Sequence, residues 1–395
     1  MTLTLLLDLD DTLLDTHLES FVPAYFQALS SHMAKVVSPN IMLPALIAST
    51  RLMTESEDPT RTLQEVFDAE FYARLGIPKE ELTELIEQFY DEIFPELRVH
   101  TQPRPGAVSL IEWAQARGYR IAIATDPLFP CKATSHRLRW AGFDPDQFEL
   151  VSTYEHFHFS KTHSAYYAEM LGRLGWQDGP VLMVGNDVNR DMIPAQRLGL
   201  KTYLVDEDSA SGPGNEAGRG KLEDLRPWLE SVDLSTLEPS FRSREAIMAI
   251  LLSTPAVLRG LSFGLSEEAW RHEPAREDWA LNEIVCHLRD TEREVHQVQL
   301  KLMIQQADAF LPRPDAAVWA SERNYSHEEG PVALSAFAAA RLETLEILKK
   351  TDEEIWHRRA RHAIFGPTNF LEVVGFIADH DRLHIQQAWK TLQSV

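Results

Sequence analysis

The pattern of apolar positions changes near the middle of the chain. In the first half, short apolar runs alternate with segments of helical periodicity, and such alternation is typical of a parallel sheet covered by helices. Four of these runs are predicted as buried strands: 3–9, 119–125, 181–184 and 201–205. The long segment between the first two strands is predicted to be an inserted helical subdomain, because its apolar residues between positions 82 and 93 recur every three or four residues.

After residue 242 the strand signals largely disappear and long amphipathic runs take over. Four such runs, each long enough for a bundle helix, are found: 245–261, 280–305, 334–349 and 369–392. We therefore predict two domains, an α/β Rossmann-like core with an inserted helical cap and an all-α four-helix bundle. The predicted boundaries are 1–232 for the α/β domain, about 16–103 for its cap, 233–242 for the linker and 243–395 for the bundle. A Gly/Ser-rich acidic stretch at 206–220 is predicted to be a loop.

The charge balance bears on possible partners. The 395 residues include 60 acidic and 38 basic side chains, which gives a formal charge of −22. Nucleic acid and anionic membranes are not expected partners, because Lys and Arg supply most of the affinity for phosphate backbones and anionic lipids. No segment approaches the roughly 18 uncharged apolar residues of a transmembrane helix. The two cysteines, Cys131 and Cys286, form no paired motif and no secretory signal is recognisable, so we expect a cytoplasmic protein.

An acidic cluster follows the first predicted strand, where Asp8 and Asp10 stand two positions apart and Thr12 comes just after them. Alternate residues of an extended segment point to the same side, so these carboxylates would repel each other unless a cation lay between them. Ligands of open parallel sheets bind at the carboxyl ends of the strands. The other predicted strand ends carry further polar residues: Thr125, Asp126, Lys161, Asn186, Asp187 and Asp191. Hydroxyl, ammonium and carboxylate groups with a divalent cation suit a phosphoryl group.

These four segments resemble, in order and spacing, the motifs of the haloacid dehalogenase superfamily, in which a helical cap separates the first two motifs. The resemblance covers about residues 2–230. It implies that Asp8 is the nucleophile that forms an aspartyl-phosphate and that Asp10 is the acid and base. It also implies that Lys161 neutralises charge and that the substrate is contacted by Thr12, Thr125 and Asp126. The implied ligands of Mg²⁺ are Asp8, Asp10, Asn186, Asp187 and Asp191.

Asp10 bears on the type of reaction, because dehalogenases of this superfamily carry no acid at that place. The resemblance therefore implies a Mg²⁺-dependent phosphomonoester hydrolase that acts on a small phosphorylated metabolite. Sugar phosphates, phosphoglycolate and nucleoside monophosphates all remain open as substrates. The fourth motif departs from the family pattern, since Asn186 occupies the place of the usual Asp and Asp187 follows it. Which of these two holds Mg²⁺ is left open.

Three histidines form a second candidate site. His380 and His384 are one helical turn apart on the last predicted helix, so both imidazoles lie on one face. His287 lies among apolar neighbours on the second predicted helix. Three neutral imidazoles with an open coordination position suit Zn²⁺, Ni²⁺ or Fe²⁺.

The second half resembles the DinB-like superfamily of four-helix bundles, through these histidines and the segment from Trp279 to Asp290. In that superfamily, one His of the second helix and an HxxxH pair of the last helix form a metal triad, which implies His287, His380 and His384 as ligands. Some members are thiol-dependent transferases or isomerases. Two alternatives to a phosphatase as the main function follow: a metal- and thiol-dependent transferase or hydrolase in the bundle, or a non-catalytic bundle that mediates interactions such as a homodimer.

Several neighbouring residues are interpreted as structural. Trp270 and Trp279 are predicted to cap the bundle core. Cys286 is predicted to pack, because successive helical residues point about 100° apart. His296 has no partner that its spacing reveals, so it is assigned no role.

Overall fold

The computed structural model describes residues 2–206, 214–275 and 278–394. The chain forms two compact units. The first consists of Met1–Met170 and Asp178–Ser240, and the second consists of Leu171–Gln177 and Phe241–Val395. The described strands are β1 Thr4–Leu7, β2 Leu14–Thr16, β3 Thr101–Pro103, β4 Arg120–Ile123, β5 Leu150–Val151, β6 Val181–Gly185, β7 Lys201–Val205, β8 Gly218–Gly220, β9 Ala309–Leu311, β10 Arg359–His362 and β11 Gly366–Asn369.

A six-stranded parallel sheet forms the centre of the first unit, in the order β5-β4-β1-β6-β7-β8. The central strands β1 and β6 are buried along their whole length, which explains their continuous apolar sequences. The chain runs outward from β1 through β4 to β5 and then returns to the other side of β1 at β6. Such a reversal opens a crevice at the carboxyl ends of the strands, and it brings the residues after β1 next to those after β6.

Helices cover this sheet, and most of them fall between consecutive strands. Outside the cap they are Ala107–Ala116, Cys131–Trp140, Ser164–Arg173, Ile193–Leu198 and Leu222–Ser231. The four main strand predictions are confirmed to within a few residues. The prediction of a Rossmann-like α/β domain is therefore correct.

The helical cap is inserted between β1 and β4, as predicted. Its α-helices are Leu18–Met33, Pro39–Glu55, Leu63–Leu75 and Lys79–Gln88, followed by the π-helix Phe89–Ile93 and the 3-10 helix Phe94–His100. The third α-helix begins at a capping box in which Thr62 and Glu65 bond each other's backbone N–H groups. An antiparallel pairing of β2 with β3 joins the two ends of the insertion.

Four long helices form the second unit, and the predicted bundle is confirmed. They are Arg244–Leu261; Leu281–Thr291, which continues through the π-helix Glu292–His296 into Gln297–Gln305; Gly330–Lys349; and Phe370–Leu392. Shorter α-helices are Glu267–Trp270, Trp319–Glu322 and Glu353–Trp356. Ser243 and Asn369 cap the first and last long helices through side-chain hydrogen bonds.

Some short strands were not predicted. The second unit contains a three-stranded sheet in the order β11-β10-β9, and β8 lies inside the predicted loop at 206–220. Strands of two to four residues at sheet edges are too short to show an alternating pattern. Residues 207–213 of that predicted loop lie outside the described residues. Among the described helices, none is both long and apolar enough to cross a membrane.

Candidate functional site

Asp8 and Lys161 form the centre of the site in the first unit. Asp8 follows β1 and is 6% exposed, whereas Lys161 is 2% exposed. The Lys161 ammonium donates to Oδ1 of Asp8 at 2.6 Å and also contacts Oδ1 of Asp191. An unpaired charge in the protein interior is strongly unfavourable. The ammonium and the two carboxylates therefore stabilise one another.

Burial and charge act in opposite directions on this group. Burial alone would lower the pKa of Lys161, but the carboxylates of Asp191 and Asp8 outweigh it and hold that pKa well above its ordinary value. Burial raises the pKa of Asp191, and the ammonium of Lys161 opposes this rise. Lys161 is therefore a permanent cation beside the carboxylate of Asp8.

Asn186 and Asp187 are adjacent in the chain but face different surroundings. One amide atom of Asn186 lies 3.1 Å from the carbonyl oxygen of Asp10 and 3.3 Å from Oδ2 of Asp8. The Asp187 carboxylate instead accepts the backbone N–H groups two and three residues later, at 2.7 and 3.1 Å. It caps the π-helix Val188–Met192 and its side chain is 42% exposed. The structure thus brings Asn186, and not Asp187, to the carboxylate of Asp8.

Asp10 follows Asp8 closely, but its carboxylate has other partners. Its Oδ1 accepts a hydrogen bond from the Thr16 hydroxyl at 2.7 Å, and its Oδ2 contacts the guanidinium of Arg137. Arg137 lies in the helix Cys131–Trp140 and is 2% exposed. Burial lowers the pKa of Arg137 to about 10, although Asp8 opposes this shift. Sequence reasoning missed Arg137, because it belongs to no motif and only the packing of its helix brings it to Asp10.

The three predicted substrate contacts lie close to these residues. Thr12 is fully buried and its hydroxyl donates to Oδ2 of Asp8 at 3.0 Å. Thr125 is 1% exposed, and its carbonyl oxygen accepts two side-chain hydrogen bonds that fix the end of its strand. The Asp126 carboxylate accepts the backbone N–H of Lys161 at 3.2 Å, and burial raises the pKa of Asp126. Asp126 therefore positions the segment that carries the ammonium.

In the second unit, His287, His380 and His384 come together, and we call these three residues the His triad. One ring nitrogen of each lies within 4.8 Å of the others, and Nε2 of His287 is 3.2 Å from Nε2 of His380. The first belongs to the helix Leu281–Thr291 and the other two to Phe370–Leu392. Three ring nitrogens at this spacing can share one metal ion.

The imidazoles of the His triad are neutral at ordinary pH. Burial and neighbouring imidazoles lower the pKa of His287 to about 3 and hold that of His380 well below its ordinary value. Burial also lowers the pKa of His384. A neutral imidazole has a lone pair for a metal, so the donor set fits a transition metal. Nδ1 of His384 lies 2.9 Å from Oε1 of Gln387, an outer contact that orients the ring.

Two more aromatic side chains lie against the His triad. The ring of Trp279 stacks on His384 at 6.0 Å and lies 4.9 Å from the ring of His287, and it also packs against the bundle core. The ring of His296 meets His380 edge-on, with 5.2 Å between centroids. Both residues therefore belong to the site, although the sequence pattern assigned the first only to the core and gave the second no role.

A π-bulge in the second long helix explains why the position of His296 was not predicted. His296 follows His287 by nine residues, which in a regular α-helix would place the two about 180° apart. The segment Glu292–His296 is π-helical. A π-bulge inserts one residue into the helix and so rotates the following side chains by about 100° around the helix axis. The shift brings His296 toward the face of His287, and it is invisible to a search for regular helical periodicity.

Comparison with protein families supports both halves of this description. A family model of haloacid dehalogenase-like hydrolases matches residues 2–199, half of the chain. The chain belongs to the haloacid dehalogenase-like hydrolase family. A model of the DinB superfamily matches residues 250–388, so this haloacid dehalogenase-like hydrolase carries a DinB-like bundle. Both resemblances stated from the sequence are confirmed.

Several solved structures are similar to parts of this chain. A HAD phosphatase from Thermococcus onnurineus is 21% identical, with 58% of this chain and 98% of that chain covered and a TM-score of 0.40. A 2-haloacid dehalogenase from Pseudomonas syringae is also 21% identical, with coverages of 58% and 99% and a TM-score of 0.43. YfiT from Bacillus subtilis, described as a probable metal-dependent hydrolase with an unusual four-helix bundle topology, is 15% identical, with coverages of 38% and 88% and a TM-score of 0.35. No curated protein matches the chain.

Proposed function

We propose that the first unit is a phosphomonoester hydrolase that acts through an aspartyl-phosphate on Asp8. The observation that carries this proposal is the buried pair of Asp8 and Lys161, 2.6 Å apart, with a second carboxylate at Asp10. The alcohol that leaves a phosphate ester needs a proton, whereas a halide does not. The acid at position 10 therefore favours an ester over a haloacid as the substrate.

The oxygen atoms around Asp8 fit Mg²⁺. The amide of Asn186 lies within 3.3 Å of both Oδ2 of Asp8 and the carbonyl oxygen of Asp10. With the amide oxygen inward, it lies among oxygen atoms of Asp8, Asp10 and Thr12, an arrangement that a hard cation between the oxygens would stabilise. We propose these three groups as the ligands. Asp191 instead contacts Lys161 and positions its ammonium. Asp187 caps a helix and is not among the proposed ligands.

In the proposed reaction, Mg²⁺ supplies positive charge for the phosphoryl oxygens when it is bound. The side chains of the protein perform the remaining steps. Asp8 attacks phosphorus through a carboxylate oxygen, and the leaving oxygen takes a proton from Asp10. Asp10 then accepts a proton from the water that cleaves the acyl phosphate. Lys161 stabilises negative charge on the phosphoryl group, and the hydroxyls of Thr12 and Thr125 orient it.

The test of this proposal is hydrolysis of a generic aryl phosphate with and without Mg²⁺. Wild type is compared with Asp8→Asn, and His384→Ala serves as a control that alters only the other unit. We expect Mg²⁺-dependent turnover that falls by about 10³-fold or more in Asp8→Asn and is unchanged in His384→Ala. Turnover that survives in Asp8→Asn, or halide release from a 2-haloacid in place of phosphate release, would contradict the proposal.

We propose a second, metal-dependent function for the bundle. The observation that favours it is the meeting of three neutral imidazoles within 4.8 Å. Zn²⁺, Ni²⁺ or Fe²⁺ would suit these nitrogen ligands and leave positions open for a substrate. We consider two types of enzyme for this site, a thiol-dependent transferase and a metal-assisted hydrolase. A bundle that only mediates interactions is the competing interpretation.

Metal analysis separates these two interpretations. We expect about one transition-metal ion per chain in wild type and none at this site in His384→Ala. Thiol-dependent turnover that is lost with the metal would support a catalytic bundle. A purified protein that takes up no metal at the His triad would favour a bundle that serves interactions, such as a homodimer.

Some further expectations stay predictions. They are a small phosphorylated metabolite as the substrate, no binding of nucleic acid or membranes, a homodimer formed through the bundle, and a cytoplasmic location. The charge of −22 motivates the second of these.

A further inference from the structure

A cavity of about 800 Å³ opens beside the His triad within the bundle. Its volume lies in the range of sites that hold small molecules. The His triad and His296 line it, and we call these four side chains its polar end. Apolar side chains such as Val373, Phe376 and Ile377 line it too, as do the charged side chains of Arg313, Asp315 and Asp379. The lining thus combines imidazoles that fit a metal with apolar side chains.

Large apolar side chains at this cavity are also exposed. Ile364, Phe365 and Leu383 line it and are 61%, 52% and 65% exposed. The ring of Phe365 packs against Phe376 with 4.2 Å between centroids, so it is held in place at the cavity. Exposed apolar groups that converge on one cavity mark a surface that a ligand covers. The wall therefore favours a ligand with an apolar body.

His296 offers a hydrogen-bonding atom at the polar end. Its Nδ1 lies 3.1 Å from Oε2 of Glu292, and the Glu292 oxygens accept from the guanidinium of Arg341 at 2.8 and 2.9 Å. A carboxylate held by arginine is an acceptor, so Nδ1 carries the hydrogen. The other ring nitrogen of His296, Nε2, is then available to bond a ligand in the cavity. Glu292 and Arg341 are buried, and they position the ring.

We propose that this cavity binds a ligand with an apolar body and a protic head group. The head group lies between the His triad and Nε2 of His296, which hydrogen-bonds it, and the apolar body packs against Phe365 and Phe376. This inference rests on the proposed function of the bundle, because the head group needs a metal at the His triad.

The probes are benzohydroxamate and acetohydroxamate, which share a protic, metal-binding head group and differ in apolar size. Zn²⁺-loaded full-length protein is titrated by calorimetry, and bound zinc is measured on the same samples. The variants are His296→Gln, Phe365→Ser and His384→Ala. His357→Gln is the matched control, since His357 is exposed and outside the cavity.

We expect wild type to bind benzohydroxamate at least tenfold more tightly than acetohydroxamate. His296→Gln should weaken both probes by about tenfold with zinc content unchanged, because the hydrogen bond from the ring to the head group is lost while the three ligands of the His triad are kept. Phe365→Ser should reduce the preference for benzohydroxamate by about threefold or more without affecting acetohydroxamate. His357→Gln should match wild type.

Three results would overturn the inference while leaving the metal function of the bundle intact. Equal affinity for the two probes would refute the apolar body, and loss of zinc in His296→Gln as complete as in His384→Ala would make His296 a ligand. Unchanged binding of both probes in His296→Gln would refute its contact with the head group. A wild type that takes up no zinc at the His triad would instead refute the metal function of the bundle and this inference with it, so the two failures are distinguishable.

Discussion

The ammonium of Lys161 lies 2.6 Å from Oδ1 of Asp8, although 153 positions separate the two residues in the chain. The same ammonium contacts the buried carboxylate of Asp191. One buried cation therefore neutralises the carboxylates of both the proposed nucleophile and Asp191. Removal of the cation would leave two buried negative charges unpaired, which is costly.

Lys161→Met should abolish most of the activity and destabilise the first unit. We expect aryl phosphate hydrolysis to fall by at least about 10²-fold, because the charge that stabilises the phosphoryl group is lost. The free energy of unfolding should fall by about 3 kcal/mol. Steady-state kinetics and chemical denaturation measure the two effects. Lys132→Met is the matched control, since the Lys132 side chain is 42% exposed and pairs with the surface carboxylates of Glu87 and Asp91.

Asn186→Asp should tighten the response to Mg²⁺. A carboxylate at this position adds negative charge beside Asp8, and Mg²⁺ affinity rises with the charge of its ligands. We expect the Mg²⁺ concentration for half-maximal hydrolysis to fall about tenfold. Asp187→Asn should leave it unchanged, because Asn is also a good helix cap. A larger loss of Mg²⁺ response in Asp187→Asn than in Asn186→Ala would show that Asp187, and not Asn186, is the ligand of Mg²⁺.

Arg137→Gln should lower hydrolysis by about tenfold or more with little change in overall structure. Arg137 is the buried partner of the Asp10 carboxylate, so its loss removes the contact that orients the proposed acid and base. Arg139 lies on the same helix but is exposed, and Arg139→Gln should keep wild-type kinetics. Equal kinetics in the two variants would mean that Asp10 does not depend on Arg137.

Acid should destabilise the bundle through Glu292. Burial would raise the pKa of Glu292, but Arg341 and His296 outweigh it and hold that pKa well below its ordinary value. A carboxyl whose pKa is lower in the folded state contributes its full stability above the unfolded pKa of about 4.3 and loses it as the pH falls further. The contribution of Glu292 should therefore disappear progressively below about pH 4.3.

Thermal unfolding of wild type and Glu292→Gln from pH 7 to pH 3 tests this dependence. At pH 7 the variant should be less stable by about 3 kcal/mol, and the difference should shrink below about pH 4.3. Glu346→Gln is the control, since Glu346 is exposed and pairs with the exposed Lys350, so it should change stability by less than about 0.5 kcal/mol. A difference that grows in acid would contradict the assignment.

The sequence by itself determined the two fold classes, the inserted cap and most of the polar residues that the structure brings together at the two candidate sites. Strands such as Val181–Gly185 are buried on both faces, and the long helices repeat their apolar positions regularly, so local pattern and burial agree. His380 and His384 meet because one helical turn separates them, and Asp8 and Asp10 share a strand end. These relationships are local, and regular geometry suffices to predict them.

Only the tertiary structure decided how distant residues pair. It turned Asn186 toward Asp8 and Asp187 into a helix cap, because the backbone after β6 changes direction between them. It brought Arg137 to Asp10 by packing one helix beside the sheet. It also rotated His296 toward the His triad through a π-bulge. Periodicity describes regular elements, whereas an inserted residue, a capped turn and a helix–helix contact depend on packing energies between segments that are far apart in the chain.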